Sequence, residues 1–141
     1  MSLEITKKKQ QVIDQFAAIK DKDERLRAII EMGRALPTMD ETLKIDPFLV
    51  RGCISKAWLA PRMTESERIF FEADSEAMIV KGIIAVLLEV YSGATAEDIE
   101  ATDASFLAEI GISDHLSMNR RNGLANIVKT IQNYAKVLKK S

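Results

Sequence analysis

The stretch Ala77–Val90 constrains this chain more than any other segment. Met78, Ile79, Ile83, Val86, Leu87 and Val90 recur at helical spacing and form a wide apolar face, which folding has to cover with other elements. The stretch contains Lys81, Gly82 and Glu89 and falls short of the ~20 apolar residues of a membrane span. It is therefore expected to be a core helix running to about Tyr91. Asp74-Ser75 is its expected cap and Gly93 lies near its stop. Gly82 inside that face would let another backbone approach closely.

The flanking segments supply what could cover it. Ile5, Val12, Ile13, Phe16 and Ile19 predict an amphipathic first helix, with a break at Asp21–Asp23. Leu26, Ile29, Ile30 and Gly33 predict a second, ending before Pro37. Residues Pro37–Phe48 show little periodicity, and a short strand is expected to start at Leu49–Val50. Ser55–Ala60 and Arg68–Glu72 read as strands joined by a turn over Met63–Glu67, which has no Gly or Asn. Thr95-Ala96-Glu97-Asp98 resembles a helix start, and Phe106, Leu107 and Ile110 fit a short turn ending at Gly111. After Asn122-Gly123, the run Leu124, Ile127, Val128, Ile131, Tyr134 and Leu138 predicts a last amphipathic helix. This order gives an α+β fold, with helices covering one face of a three-stranded antiparallel sheet.

A length of 141 residues suits one domain, expected here as residues 1–141. Twenty basic and twenty-one acidic residues nearly cancel, so no general attraction to nucleic acid or anionic membrane is expected. The balance conceals segregation. Ala94–Asp114 holds six acidic residues and no Lys or Arg, whereas His115–Ser141 holds six basic residues and no acid. Such blocks are either solvated helix faces or a partner-docking surface. The N-terminal residues are basic without a following apolar region, which does not match a secretory signal and suggests a cytoplasmic chain.

One cysteine and one histidine leave little for catalysis. No intramolecular disulfide or multi-cysteine zinc site can form, and a single histidine removes most of the usual metal chemistry. A lone cysteine is often a small buried hydrophobe. Around Cys53, however, Gly52 permits a tight turn, Arg51 and Lys56 could favour a thiolate, and Ser55 offers a hydrogen bond. His115 could pair with Cys53, although a surface or capping role accounts for it more simply. Asp74 and Glu76 suit a helix start and lack any sign of a sugar cleft. Trp58 and Phe70/Phe71 fit sheet packing rather than base stacking.

Together these segments resemble a known family. Val50-Arg51-Gly52-Cys53-Ile54-Ser55-Lys56-Ala57-Trp58 is similar to the cysteine motif of the SufE family of cysteine desulfuration proteins. Twenty-one residues after the cysteine, Asp74-Ser75-Glu76 precedes Ile79-Val80-Lys81-Gly82, resembling the family's second signature. Arg120-Arg121-Asn122-Gly123-Leu124 resembles its Arg-x-Asn-Gly-Leu segment, with Arg120 the preferred match, and Ile29–Pro37 fits upstream. The resemblance spans roughly residues 10–138. It implies a compact fold related to iron–sulfur scaffold proteins. It implies a sulfur acceptor at Cys53, a pyridoxal-phosphate-dependent cysteine desulfurase as donor and stimulated partner, and an iron–sulfur assembly scaffold downstream. The desulfurase would carry the cofactor; this chain would hold neither that cofactor nor an iron–sulfur cluster permanently and would not itself be the desulfurase. Arg51, Gly52, Ser55 and Lys56 would support the loop or thiolate, and Asp74, Glu76, Arg120 and Arg121 would take part in docking. A monomer or weak homodimer is expected. The open alternative is a binding or redox-sensing protein in which Cys53 oxidises reversibly or is only structural.

Overall fold

Physical patterning along the chain resolves into six α-helices and one small sheet in a computed structural model, which describes residues 3–52, 55–112 and 116–139. The two N-terminal helices are α1 (Leu3–Ala17) and α2 (Lys22–Arg34). Asp21 caps α2 by accepting from the Glu24 N–H at 3.0 Å, so the break expected at Asp21–Asp23 is a helix start. Short 3-10 turns follow at Glu41–Leu43 and Asp46–Phe48. Strand β1 (Ala57–Met63) pairs antiparallel with β2 (Arg68–Ser75). Helix α3 (Met78–Tyr91) follows, then β3 (Ala94–Thr95), α4 (Ala96–Ala101), α5 (Phe106–Glu109) and α6 (Met118–Leu138).

The core forms around α3, as its apolar run demands. Every residue from Gly82 to Leu88 is buried, with Val90 and Tyr91. Helix α1 contributes Ile5, Val12 and Phe16, and α6 contributes Leu124, Ile127, Ile131 and Ala135. On the sheet, Ala57 and Leu59 are buried with Ile69, Phe71 and Ala73, the period-two inner face. The other face carries the cross-strand pairs Trp58/Asp74, Ala60/Glu72 and Arg62/Phe70. Arg62 lies 5.4 Å from the Phe70 ring centroid.

Two glycines set the approach of α2 to α3. A Cβ on Gly33 would lie 2.7 Å from the Gly82 nitrogen, and one on Gly82 would lie 2.8 Å from the Ile29 carbonyl carbon. Only hydrogen at both positions lets the two backbones meet.

Several boundaries differ from expectation. The third strand is Ala94–Thr95, beside β2, and the strand expected at Leu49–Val50 is an isolated bridge from Leu49 to Trp58. Thr95 does cap α4, accepting from the Asp98 N–H at 3.2 Å. The first sheet strand continues through Pro61 to Met63. Leu59, two residues earlier on the same edge, turns its carbonyl away from β2 to the Tyr134 hydroxyl, so the N–H missing from Pro61 would have faced outward and no ladder bond is lost. The turn after β1 closes without Gly because Glu67 adopts a left-handed φ of 63°. Asp74 and Ser75 end β2 and do not cap α3, whose N-cap position is Ala77. The last helix starts at Met118, capped by Ser117, which places Arg120-Arg121-Asn122-Gly123 inside its first turns.

Candidate functional site

The residues flanking Cys53 are fixed at two roots. Before the cysteine, the buried Val50 donates its N–H to the Ala57 carbonyl at 2.8 Å. The Leu49–Trp58 bridge reinforces this closure. After it, the Lys56 carbonyl accepts from the Ser75 hydroxyl at 2.9 Å and from the Glu76 N–H at 3.0 Å. The chain is thus held on both sides of the cysteine, at Val50 by the strand bridge and at Lys56 by the end of β2. Cys53 and Ile54 themselves lie outside the described residues, as does His115 with its suggested pairing to Cys53.

Arg51 and Gly52 form the turn entering the loop, and both are exposed. Gly52 has φ 83°, a conformation glycine adopts freely. A Cβ there would collide with the Asn126 side-chain amide on α6, with the amide carbon 3.0 Å away. Ser55 is half-buried and Lys56 exposed at the exit.

Asp74 is the electrostatic hub beside this loop. Its Cα pairs with that of Trp58 across the sheet. One carboxylate oxygen accepts from Lys44 at 2.6 Å; the other meets Lys81 at 3.3 Å and accepts from the Ser75 N–H at 2.8 Å. Both Asp74 and Lys44 side chains are only 18% exposed, so water screens this pair less than a surface pair. Burial alone would raise the Asp74 carboxyl. Lys44, Ser75 and Lys81 outweigh it and hold the group below its ordinary value. Lys44 is correspondingly raised, first by Asp74 and then by Glu41. Its ammonium sits 5.8 Å from the Trp58 ring centroid. This explains why Asp74 does not cap α3: two cations and a local N–H occupy its oxygens. The hub ties the irregular segment before the loop to β2 and α3.

The other expected site residues behave differently. Glu76 is exposed on the strand-to-helix connection and contributes its backbone N–H to the loop root. Arg121 is exposed, whereas Arg120 is half-buried, with one buried guanidinium nitrogen lacking a hydrogen-bond partner. The acidic and basic segments approach each other where Lys139, just past the end of α6, lies 3.6 Å from Glu100 of α4. Sequence reasoning missed Lys44, Asn126 and Tyr134. Lys44 and Asn126 carry no local pattern. Tyr134 was visible only as a helical apolar position, although its hydroxyl donates to the Leu59 carbonyl at 3.1 Å. Lys81, a charge inside an apolar run, was the signal that α3 contributes to the site.

Comparison with known proteins shows the family and the fold. Residues 10–135 match the family model described as SufE, an Fe–S metabolism associated domain. An uncharacterized SufE-like protein of Rhizobium etli is 40% identical over 131 residues, covering 90% of this chain and 88% of its own length. A second, from Rhizobium meliloti, is 37% identical over 129 residues, covering 89% and 92%. The chloroplastic/mitochondrial SufE-like protein 1 of Arabidopsis thaliana is 28% identical across 94% of this chain and 36% of itself. The solution structure of a hypothetical protein from Thermus thermophilus shares the fold, with a TM-score of 0.77 at 17% identity over 93% of this chain and 95% of that one. With residues 10–135 matched to the family model and two SufE-like relatives at 40% and 37% identity across most of both chains, the chain belongs to the SufE family.

Proposed function

We propose that this chain performs the family's sulfur-acceptor role through Cys53. The donor is the cysteine persulfide of a pyridoxal-phosphate-dependent cysteine desulfurase, and the next acceptor is an iron–sulfur assembly scaffold. The observation that supports the reading is that the described residues on either side of the chain's single cysteine, Val50 and Lys56, are pinned by hydrogen bonds, in a chain of the SufE family.

The chemistry needs only one thiol here. Cys53 thiolate attacks the outer, sulfane sulfur of the partner's persulfide. The bond between the partner's two sulfurs breaks, the partner cysteine leaves as a thiolate, and Cys53 becomes a persulfide. Attack on the inner sulfur would instead cross-link the proteins and expel the outer sulfur as sulfide, so orientation governs the outcome. A scaffold thiolate then takes the terminal sulfur by the same exchange. Removing sulfur from the desulfurase frees it for another turnover, so the chain acts as acceptor and activator and is not the desulfurase itself.

Local roles follow from position. Arg51 and Lys56 are cations at the two ends of the loop and favour the thiolate or persulfide anion. Gly52 supplies the turn that lets the cysteine reach outward, and Ser55 supports the exit. Asp74 holds the platform beside the loop, while Glu76, Arg120 and Arg121 take part in docking. The working unit is a single domain of residues 1–141, monomeric or weakly dimeric, acting in the cytoplasm. Among the described residues no helix is long and apolar enough to cross a membrane.

A Cys53→Ser variant tests this reading. It is expected to bind the desulfurase as tightly as the unaltered chain while losing stimulation of sulfide or alanine production. Undiminished stimulation by the variant would remove Cys53 from the relay. Binding with no sulfur uptake by the unaltered chain would favour an interaction or redox-sensing role.

A further inference from the structure

The loop has a second neighbour besides the Asp74 hub. Between the 3-10 turn at Asp46–Phe48 and α6 lies an open cleft of about 370 Å³. That is at the small end of the roughly 300–1,000 Å³ range of small-molecule sites. Pro47, Leu49 and the Tyr134 ring give it apolar walls, and Tyr134 is fixed by its bond to Leu59 and its ring contact with Phe71. Arg51 forms part of the rim, and Asn126 both lines the cleft and packs against Gly52. Chain connectivity alone ties Cys53 to this rim, two peptide units of about 3.8 Å beyond Arg51.

The polar lining is unspent. Among the described residues, the side chains of Asp46, Arg51, Asn126, Lys129 and Asn133 have no hydrogen-bond or ion-pair partner. Two cations, one carboxylate and two amides thus face one small volume beside the loop. Two cations suit carboxylates, the carboxylate suits an ammonium group, and the amides suit a peptide or amide link. A macromolecular surface would satisfy such groups along an extended face; this set converges on a space suited to one small zwitterion.

Building on the relay reading of Cys53, we infer that this cleft binds a low-molecular-weight thiol carrying both carboxylate and ammonium groups, of the cysteine or small cysteinyl-peptide class. The bound thiol is a second outlet for the sulfur. Its thiolate attacks the terminal sulfur of the Cys53 persulfide. The Cys53 sulfur–sulfur bond breaks, a sulfur–sulfur bond to the small thiol forms, and Cys53 departs as a thiolate. The products are a small-molecule persulfide and the resting protein, with no further oxidant or reductant required. The cleft thereby selects which small thiols drain the relay.

Two measurements test it. Reduced glutathione is titrated into the Cys53→Ser chain and followed by amide chemical shifts, which reports binding without sulfur chemistry. Saturable shifts centred on Asn126, Lys129 and Asn133 are expected, weakened about tenfold by Lys129→Glu through loss and reversal of one charge contact. Separately, the persulfidated unaltered chain is mixed with glutathione or with uncharged 2-mercaptoethanol, compared at equal thiolate concentration. Release to glutathione is expected to saturate and to slow in Lys129→Glu, while release to 2-mercaptoethanol stays linear and indifferent to the substitution. Absent or scattered shifts, or linear release to both thiols unaffected by Lys129→Glu, would overturn the inference. Failure of Cys53 to acquire sulfur at all would overturn the relay and its outlet, and the titration would still decide whether the cleft binds the thiol.

Discussion

Asp74 shows how one side chain takes its role from its neighbours. Its sequence position suggested a helix cap, yet the carboxylate is spent on Lys44, Lys81 and the Ser75 N–H. Its folded-state pKa lies below the unfolded one, so its stabilising contribution is complete above about pH 4 and is lost as pH falls through the lowered value. Asp74→Asn should therefore lower the urea midpoint at pH 7, and the gap from the unaltered chain should close in acid. A gap constant from pH 7 to pH 3 would contradict the hub. Gly52 offers a second test. Gly52→Ala meets both a left-handed φ and the Asn126 amide, and should cost roughly 1–3 kcal/mol in thermal or urea unfolding. Adding Asn126→Ala should relieve the collision while leaving the backbone strain, a partial rescue visible in a double-mutant cycle. Tyr91 is simpler. Its buried hydroxyl donates to the Thr102 carbonyl at 2.7 Å, and Gln132 donates to the same oxygen at 3.0 Å. Tyr91→Phe leaves that carbonyl satisfied and should cost only about 0.5–1.5 kcal/mol.

Among the elements, the long helices were the most legible because their apolar positions repeat over several turns. Helix α3 is buried along most of its length, the apolar positions chosen for α1 include its buried residues, and those chosen for α6 include Leu124, Ile127 and Ile131 but not the buried Ala135. Strand pairing was legible where it alternated, as at Ile69 and Phe71. The two-residue β3 has no room for a period, so it could not be seen beside the Thr95 cap that overlaps it. The start of α6 was also hidden, because the apolar period begins only after Asn122-Gly123, whereas Gly123 is buried within the helix. Contact between α2 and α3 was half legible: Gly82 invited an approach, but its partner, Gly33 with Ile29, emerges only in three dimensions. Gly82→Ala gains up to about 1 kcal/mol of helix propensity yet drives a methyl into backbone that has little freedom to yield. Net destabilisation of roughly 1–3 kcal/mol is expected from urea unfolding. An unchanged or higher midpoint would contradict the close packing.

At the scale of the whole molecule, the sheet, α3 and α6 converge on the two roots of one loop. The placing of Arg51, Gly52 and Asp74 near one another was legible because motif spacing survives without knowledge of the fold. Lys44 and Asn126 were not, since Lys44 reaches Asp74 and Asn126 reaches Gly52 only through tertiary packing. The near-zero net charge was equally uninformative about where cations would gather. The central claim is that this arrangement presents one thiol to a persulfide donor. Intact-mass analysis after incubation with a cysteine desulfurase and L-cysteine tests it most directly. The account predicts a reducible gain of one sulfur atom, mapped to Cys53 and absent from Cys53→Ser. A chain that stimulates the desulfurase while its mass stays unchanged, or a Cys53→Ser chain that gains the same sulfur, would contradict it.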